Sequence, residues 1–222
     1  MKYFVIDLET TGLDLKNHEI TEVSILDCQS LEQIIWFVRI RHPEKASKEA
    51  LMITGKRLED LVFKGRYVET ILDEINDFVL KGVDEIDEIC MIAHNASFDR
   101  RFVENAFAAN DKKFIGQYWL DTAMMARRFS KTILKLKRTS VALGEIVKTA
   151  NVKNIEIGAH SAEVDVRNTF RLWKLMVQKG MSNTEFIKMS PSLLPGTMTK
   201  KTGNEQSKEQ LMEDVMCLDE CS

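Results

Sequence analysis

The feature that most constrains this chain is a pair of carboxylates at the end of its first apolar run. Tyr3-Phe4-Val5-Ile6-Asp7-Leu8-Glu9 reads as a β-strand stopped by Thr10-Thr11-Gly12. Side chains alternate along a strand, so Asp7 and Glu9 share one face and Leu8 takes the other. Two neighbouring acids repel and resist burial unless something positive lies between them. A divalent metal ion is one solution. A solvated strand end with two surface acids is the other. Thr10, Thr11 and Gly12 leave the same choice open: hydroxyls and free amides at a strand end suit a phosphate or sugar, and Gly12 allows close backbone approach, but the same residues also make a plain turn.

Beyond this strand the apolar pattern changes period repeatedly. Ile20 to Leu26 is rich in β-branched residues and reads as a second strand, and Ile34 to Ile40 as a third. Short links predict an antiparallel meander. Val68, Ile71, Leu72, Ile75, Phe78 and Val79 recur at helical spacing. Ile89-Cys90-Met91-Ile92-Ala93 is a continuous apolar run, as in a strand buried on both faces. Phe98, Phe102, Val103, Ala106 and Phe107 mark a helix with Ser97 as its expected N-cap. Tyr118-Trp119-Leu120 predicts a short strand, and helices are expected over 122–129 and 139–150. The last helix runs from 162 to Lys179 on a stripe of Val166, Phe170, Trp173 and Val177, with Gly180 as its stop. Helices between strands after an opening meander predict a mixed α/β domain, placed at residues 1–182.

Residues 183–222 read as a flexible acidic tail. Ser190 to Gln206 is polar, aperiodic and holds two of the three prolines. Residues 209–218 regain apolar character at Leu211, Met212, Val215, Met216 and Leu218, which fits a short partner-binding helix or a disordered terminus. The tail from 181 onward has four Lys against seven Asp or Glu, the whole net charge of −3, so residues 1–180 balance at 27 basic and 27 acidic groups. Bulk charge therefore gives no nucleic-acid signal, and any such site must be local. Cys28, Cys90, Cys217 and Cys221 have no CxxC spacing and read as idle thiols of a reducing compartment. No run approaches the roughly 20 apolar residues of a membrane span. The N-terminus meets Asp7 after four apolar residues, too short for a signal-peptide core, so a cytoplasmic protein is expected.

Two later segments carry further acids and histidines. In His94-Asn95-Ala96-Ser97-Phe98-Asp99 the acid falls in the first turn of a helix, where the helix dipole favours it with or without chemistry. In His160-Ser161-Ala162-Glu163-Val164-Asp165 a histidine sits in a loop begun by Gly158, and Asp165 lies inside the helix that follows. A loop histidine beside a metal-binding acid is what a general base for water requires, although a surface loop histidine has the same appearance.

In chain order these segments give Asp-x-Glu-Thr-Thr-Gly, His-Asn-x-x-Phe-Asp and His-x-Ala-x-x-Asp. That set resembles the DEDDh branch of the DnaQ-like 3′–5′ exonucleases, the family of the bacterial polymerase III proofreading subunit. Ile20-Thr21-Glu22-Val23, Ile53-Thr54-Gly55 and Leu120-Asp121-Thr122 resemble further family segments, with Lys56 standing where an apolar residue is commoner. The likeness covers residues 1 to about 180. It implies an RNase H-like fold, a five-stranded mixed sheet flanked by helices. It implies two divalent ions, Mg²⁺ or Mn²⁺, held by Asp7, Glu9, Asp99 and Asp165, with His160 as general base. It also implies release of nucleoside 5′-monophosphates from a free 3′ end. Thr10, Gly12 and Leu13 would cradle the terminal nucleotide, with Asn95 beside them.

Arg127, Arg128, Lys131, Lys135, Lys137 and Arg138 form a run without an acid. Lys131, Lys135 and Lys137 are candidates for the phosphates of the incoming strand, against the alternative of a solvated face. The expected function is exonucleolytic proofreading or trimming of single-stranded DNA, with a polymerase or clamp as a partner of the tail. A 3′–5′ exoribonuclease is the alternative within the same chemistry, and a catalytically silent nucleic-acid-binding scaffold module is the alternative of another class.

Overall fold

The computed structural model describes residues 1–83, 89–138, 140–156 and 160–189. The chain opens with β1 (Lys2–Thr10), β2 (Ile20–Asp27) and β3 (Gln33–Phe37). Two short helices follow, α1 (Lys48–Thr54) and α2 (Leu58–Phe63), then a 3₁₀ turn and α3 (Leu72–Leu80). The second half runs β4 (Ile89–Ala93), α4 (Ala96–Ala108), β5 (Tyr118–Asp121), α5 (Thr122–Thr132), α6 (Leu143–Thr149), α7 (Ala162–Gln178) and β6 (Ile187–Met189). The strands form one mixed sheet in the order β3-β2-β1-β4-β5-β6. The meander β1-β2-β3 is antiparallel, β4 and β5 run parallel to β1, and β6 returns antiparallel on β5.

Strand alternation divides the core between the two faces of this sheet. Phe4, Ile6 and Leu8 of β1 and Ile89, Met91 and Ala93 of β4 pack with residues of α3 and α4. Val5 of β1 and Cys90 and Ile92 of β4 face the other way, onto Met125, Phe129, Ile146, Val166 and Trp173 of α5, α6 and α7. β4 is apolar throughout because both its faces are covered. Cys28 and Cys90 are free, buried thiols, and burial pushes both up from the ordinary thiol range. No helix among the described residues is long and apolar enough to cross a membrane.

Three details depart from the sequence reading. The sheet has six strands, not five. The sixth lies in the segment assigned to the tail. Three residues are too few to show a period, and β6 is recognisable only by its partner β5. Residues 183–186 are fixed as well: the indole N–H of buried Trp173 donates to Asn183 Oδ1 at 3.0 Å, and Phe186 is buried. The sheet domain therefore reaches Met189, while residues 190–222, including 209–218 and both distal cysteines, lie outside the described residues. Finally, α4 starts at Ala96 and its N-cap is Asn95, not Ser97. Asn95 has φ 72°, because the chain must reverse at once after β4, and Asn tolerates the left-handed region better than most residues.

The revised boundary is testable by truncation. A protein ending at 182 loses the Trp173 acceptor, the burial of Phe186 and the β5–β6 pairing, whereas one ending at 189 keeps them. The shorter form should be less stable by about 2–4 kcal/mol, from an unsatisfied buried donor and one lost aromatic side chain. Urea unfolding of the two truncations reads this directly, and equal midpoints would return the boundary to 182.

Candidate active site

The alternation that sends Val5 toward α7 sends Asp7 and Glu9 the same way. α7 lies across β1 and β2, and Asp165 is in its first turn. One carboxylate oxygen from each of Asp7, Glu9 and Asp165 falls within 4.8 Å of the others, close enough for all three to hold one cation. Burial pushes the Asp7 carboxyl well above the ordinary range, and the charges of Asp99, Asp165, Glu9 and Glu22 push it further. Glu9 is raised to about 8, first by burial and then by Asp165 and Glu22, with Lys56 pulling against them. Asp165 is raised by burial and by Glu22, and His160 opposes the rise. Oxygen donors crowded against their own repulsion fit a hard divalent cation, which removes that repulsion on binding.

Asp99 approaches from the opposite side. The β1–β4 register ends at Val5 and Ile92, after which the parallel strands lose their pairing. The Leu8 N–H beyond that point donates to Asp99 Oδ1 at 3.1 Å. Asp99 is almost wholly buried, and burial raises its carboxyl against the lowering effect of its own and the Leu8 amides. It is outside the close trio yet is the strongest charged influence on Asp7. Asp121, at the end of β5, accepts the amides of Ala123 and Met124 at 2.9 and 3.3 Å and that of Asn95 at 3.2 Å. It thereby ties the α5 N-terminus to the turn before α4. His94 spans Thr122 Oγ1 at 3.0 Å and the Val141 carbonyl at 2.5 Å, and burial holds its imidazole below the ordinary range.

The remaining expected residues are His160, Thr10, Gly12, Leu13, Asn95 and the lysines after Asp121. His160 is exposed just ahead of α7 with φ 42°, and residues 157–159 before it, including Gly158, lie outside the described residues. Thr10 is buried and its hydroxyl donates to the Gly12 carbonyl at 2.7 Å. Gly12 has φ 155°, and a Cβ there would lie 2.6 Å from the His18 ring, so a side chain would have to displace that ring. Leu13 projects outward at 81% exposure, an apolar surface beside the site. Asn95 is exposed at the α4 entry. Lys131 is in the last turn of α5, and Lys135 and Lys137 follow it; all three are exposed. Arg128 of the same run is engaged by Glu185.

Two residues absent from the expected set touch this centre. Glu22 stands opposite Glu9 in the β1–β2 ladder and is nearly fully buried. Its carboxylate meets the Lys56 ammonium and accepts the Glu163 amide at 3.4 Å. An acid inside an apolar strand segment was the available signal for Glu22. Nothing local in the sequence pairs it with Lys56. The first turn of α7 is further held by Gln33, which donates to the Glu163 carbonyl at 3.0 Å and to Ser24 Oγ at 2.8 Å. Arg167 joins Gln33, Glu163 and Glu156, fixing the segment before 157 against α7.

These raised carboxyls set the sign of a pH dependence. At low pH Glu9 is protonated in folded and unfolded chains alike. Between about 4.5 and about 8 the unfolded chain ionises it while the folded chain keeps the proton, so metal-free stability should fall as pH rises through that window and level off above it. Divalent metal binding only the folded state should restore stability at the upper end. Asp7→Asn should raise metal-free melting at pH 8 by about 2–6 °C, the response of a domain this size to about 1–1.5 kcal/mol. Thermal melts with and without chelator give the answer, and a metal-free protein that gains stability across the window would contradict the burial of these acids.

Comparison with known proteins adds an independent line. The RNase T exonuclease model matches residues 4–173. A PolC-type DNA polymerase III of Thermotoga maritima is 29% identical over 178 residues, 79% of this chain and 12% of that protein. Its counterpart in Streptococcus pyogenes is 31% identical over 129 residues, 56% of this chain and 8% of that protein. The chain thus spans about a tenth of the length of these curated relatives. Escherichia coli exonuclease I in complex with a dT13 oligonucleotide superposes with a TM-score of 0.68 at 17% identity, over 83% of this chain and 42% of that one. Exonuclease X in complex with 5′-overhanging duplex DNA gives 0.57 at 21% identity, over 83% and 96%. At these identities the structures speak for the fold, which they share with the sheet described above. The family match spans the strand that carries Asp7 and Glu9 and the helix that carries Asp165, and the chain belongs to the exonuclease family.

Proposed function

We propose that this chain is a metal-dependent 3′–5′ exonuclease that removes nucleotides from the 3′ end of single-stranded DNA, in proofreading or trimming. The observation that carries it is the convergence of Asp7, Glu9 and Asp165 from a strand and a helix, inside a chain of exonuclease family. The PolC-type polymerases among its relatives and the oligonucleotide complexes among its structural neighbours support DNA as the substrate. Proofreading would bring a polymerase or clamp to this chain, with 209–218 as the contact.

In this reading Asp7, Glu9 and Asp165 would hold Mg²⁺ or Mn²⁺, and Asp99 would serve a second ion. Bound divalent ions supply neutralisation of the scissile phosphate and of the departing 3′ oxygen. The chain's own residues do the rest. Water attacks phosphorus, His160 takes its proton at an imidazole nitrogen, the P–O3′ bond breaks, the mononucleotide leaves with its 5′ phosphate, and the 3′ oxygen stays on the shortened strand and takes a proton from water to become its new 3′ hydroxyl. Leu13 offers an apolar surface to the terminal base, while the turn at Thr10 and Gly12 brings backbone close to the sugar.

The deciding experiment is degradation of single-stranded DNA and RNA side by side, labelled at the 5′ end, in Mg²⁺ and in Mn²⁺. DNA should shorten stepwise from its 3′ end, and preference for RNA would replace the proposed substrate. Asp7→Ala should abolish turnover without unfolding the protein. His160→Ala should reduce kcat by about 10²–10⁴ with metal affinity kept, as expected of a general base. Collapse of calorimetric metal binding in that variant would make His160 a ligand instead.

The basic run has its own signature. The acids grip only the terminal linkage, so upstream phosphates need other partners. Replacing Lys131, Lys135 and Lys137 together should raise KM for long strands and leave dinucleotide cleavage nearly unchanged. It should also flatten the salt dependence of log KM by roughly two units, at about 0.7 per lost phosphate contact. Equal salt slopes would make these lysines a solvated face.

A further inference from the structure

The acid centre contains a cation that its expected chemistry does not use. Lys56 lies between α1 and α2, and its ammonium meets the Glu22 carboxylate. The pair is mostly buried, with the lysine side chain 18% and the glutamate side chain 4% exposed. Its placement is built into the backbone. The Ser47 amide ahead of α1 donates to the Thr11 carbonyl at 2.8 Å, fastening that segment to the end of β1. Gly55 then closes α1 with φ 65°, a left-handed turn directly before Lys56. Glu22, opposite Glu9 in the ladder, adds its charge to those of Asp99, Asp165 and Glu9 on Asp7. Lys56 acts on Glu9 in the opposite sense.

We propose that Lys56 is an internal counter-cation of the acid centre: anchored on Glu22 beside Glu9, it offsets part of the negative charge and so sets how tightly the centre holds a divalent ion. The inference rests on the metal-site reading of the preceding subsection. A cation fixed within a cluster of carboxylates repels an incoming divalent ion at close range, and buried charges are little screened by salt. Lys56 therefore keeps the metal-free centre ordered and weakens metal binding at once. A lysine serving only to neutralise Glu22 for folding would leave metal affinity unchanged, or lower it when lost.

The test is calorimetric titration of Mn²⁺ into the metal-free full-length protein and its variants, with thermal melts to check folding. Lys56→Met should bind Mn²⁺ more tightly by about 5-fold or more, 5-fold being the scale set by a water-like dielectric for one unit charge near a divalent ion. Glu22→Gln, which removes a negative charge and keeps the lysine, should bind more weakly. The double variant, which removes both charges, should return close to wild type. Folded Lys56→Met with equal or weaker affinity overturns the inference while leaving the metal site itself intact. If Lys56→Met does not fold, the comparison moves to the Glu22→Gln background: tighter binding by the double variant than by Glu22→Gln alone supports the role of Lys56, and equal or weaker binding overturns it. Wild-type protein that binds no Mn²⁺ overturns the metal-site reading and this inference together.

Discussion

Like charge at the end of one strand is the constraint around which this molecule is arranged. Asp7 and Glu9 project from β1 onto the face covered by α7, and Asp165 and Glu22 bring further carboxylates to the same place. Asp99 closes in from α4 on the other side. Such a group is unfavourable by itself, since burial and mutual repulsion both act against its ionised form. Its persistence requires that the surrounding structure hold it, and much of the polar bonding near α7 does so. Gln33 and Arg167 secure the first turn that carries Asp165, and the Leu8 amide secures Asp99.

The topology explains why these acids meet at one end of the sheet. β1 and β4 run parallel, and their pairing stops before either chain has turned away. Ligands of open α/β sheets bind where strands diverge at their carboxyl ends, because unpaired amides and loop residues face a crevice there. Here the released Leu8 amide takes an acid from the neighbouring helix. A register shift between Glu9 and Thr10 adds a second irregularity at the same end of β1. Bulges of this kind re-aim side chains next to sites. The Thr10–Gly12 turn that follows is packed closely against His18, whose ring would have to move to admit a side chain at Gly12.

The charge balance of the centre links its stability to its chemistry. Carboxyls raised by burial retain protons that a metal must displace, so metal binding, proton release and stability are one coupled equilibrium. Lys56 and His160 are the basic side chains that act on these acids, the first on Glu9 and the second on Asp165. They differ in setting: Lys56 is anchored on a buried acid, whereas His160 is exposed ahead of α7.

Much of this was legible in the linear sequence, for a physical reason. Strand and helix periods are local, so the meander, the buried β4 and the stripe of α7 followed from spacing, and period-two alternation alone put Asp7 and Glu9 on one face. Asp99, Asp165 and His160 each look alone like an ordinary helix acid or loop histidine, and only the resemblance to a known family joined them to Asp7 and Glu9 as one expected set. Other features depended on partners distant in the chain. α1 and α2, at 7 and 6 residues, are too short to establish a helical period, and β6 is too short to declare itself without β5. Asn183 reads as a tail residue until Trp173 lies beside it. Glu22 and Lys56 are 34 residues apart, and only the folding of the α1–α2 segment over the end of β1 makes them a buried pair. Periodicity therefore determined the layers and the face on which chemistry lies. Long-range packing decided which charges share it, because electrostatic energy depends on distance in space and not on separation along the chain.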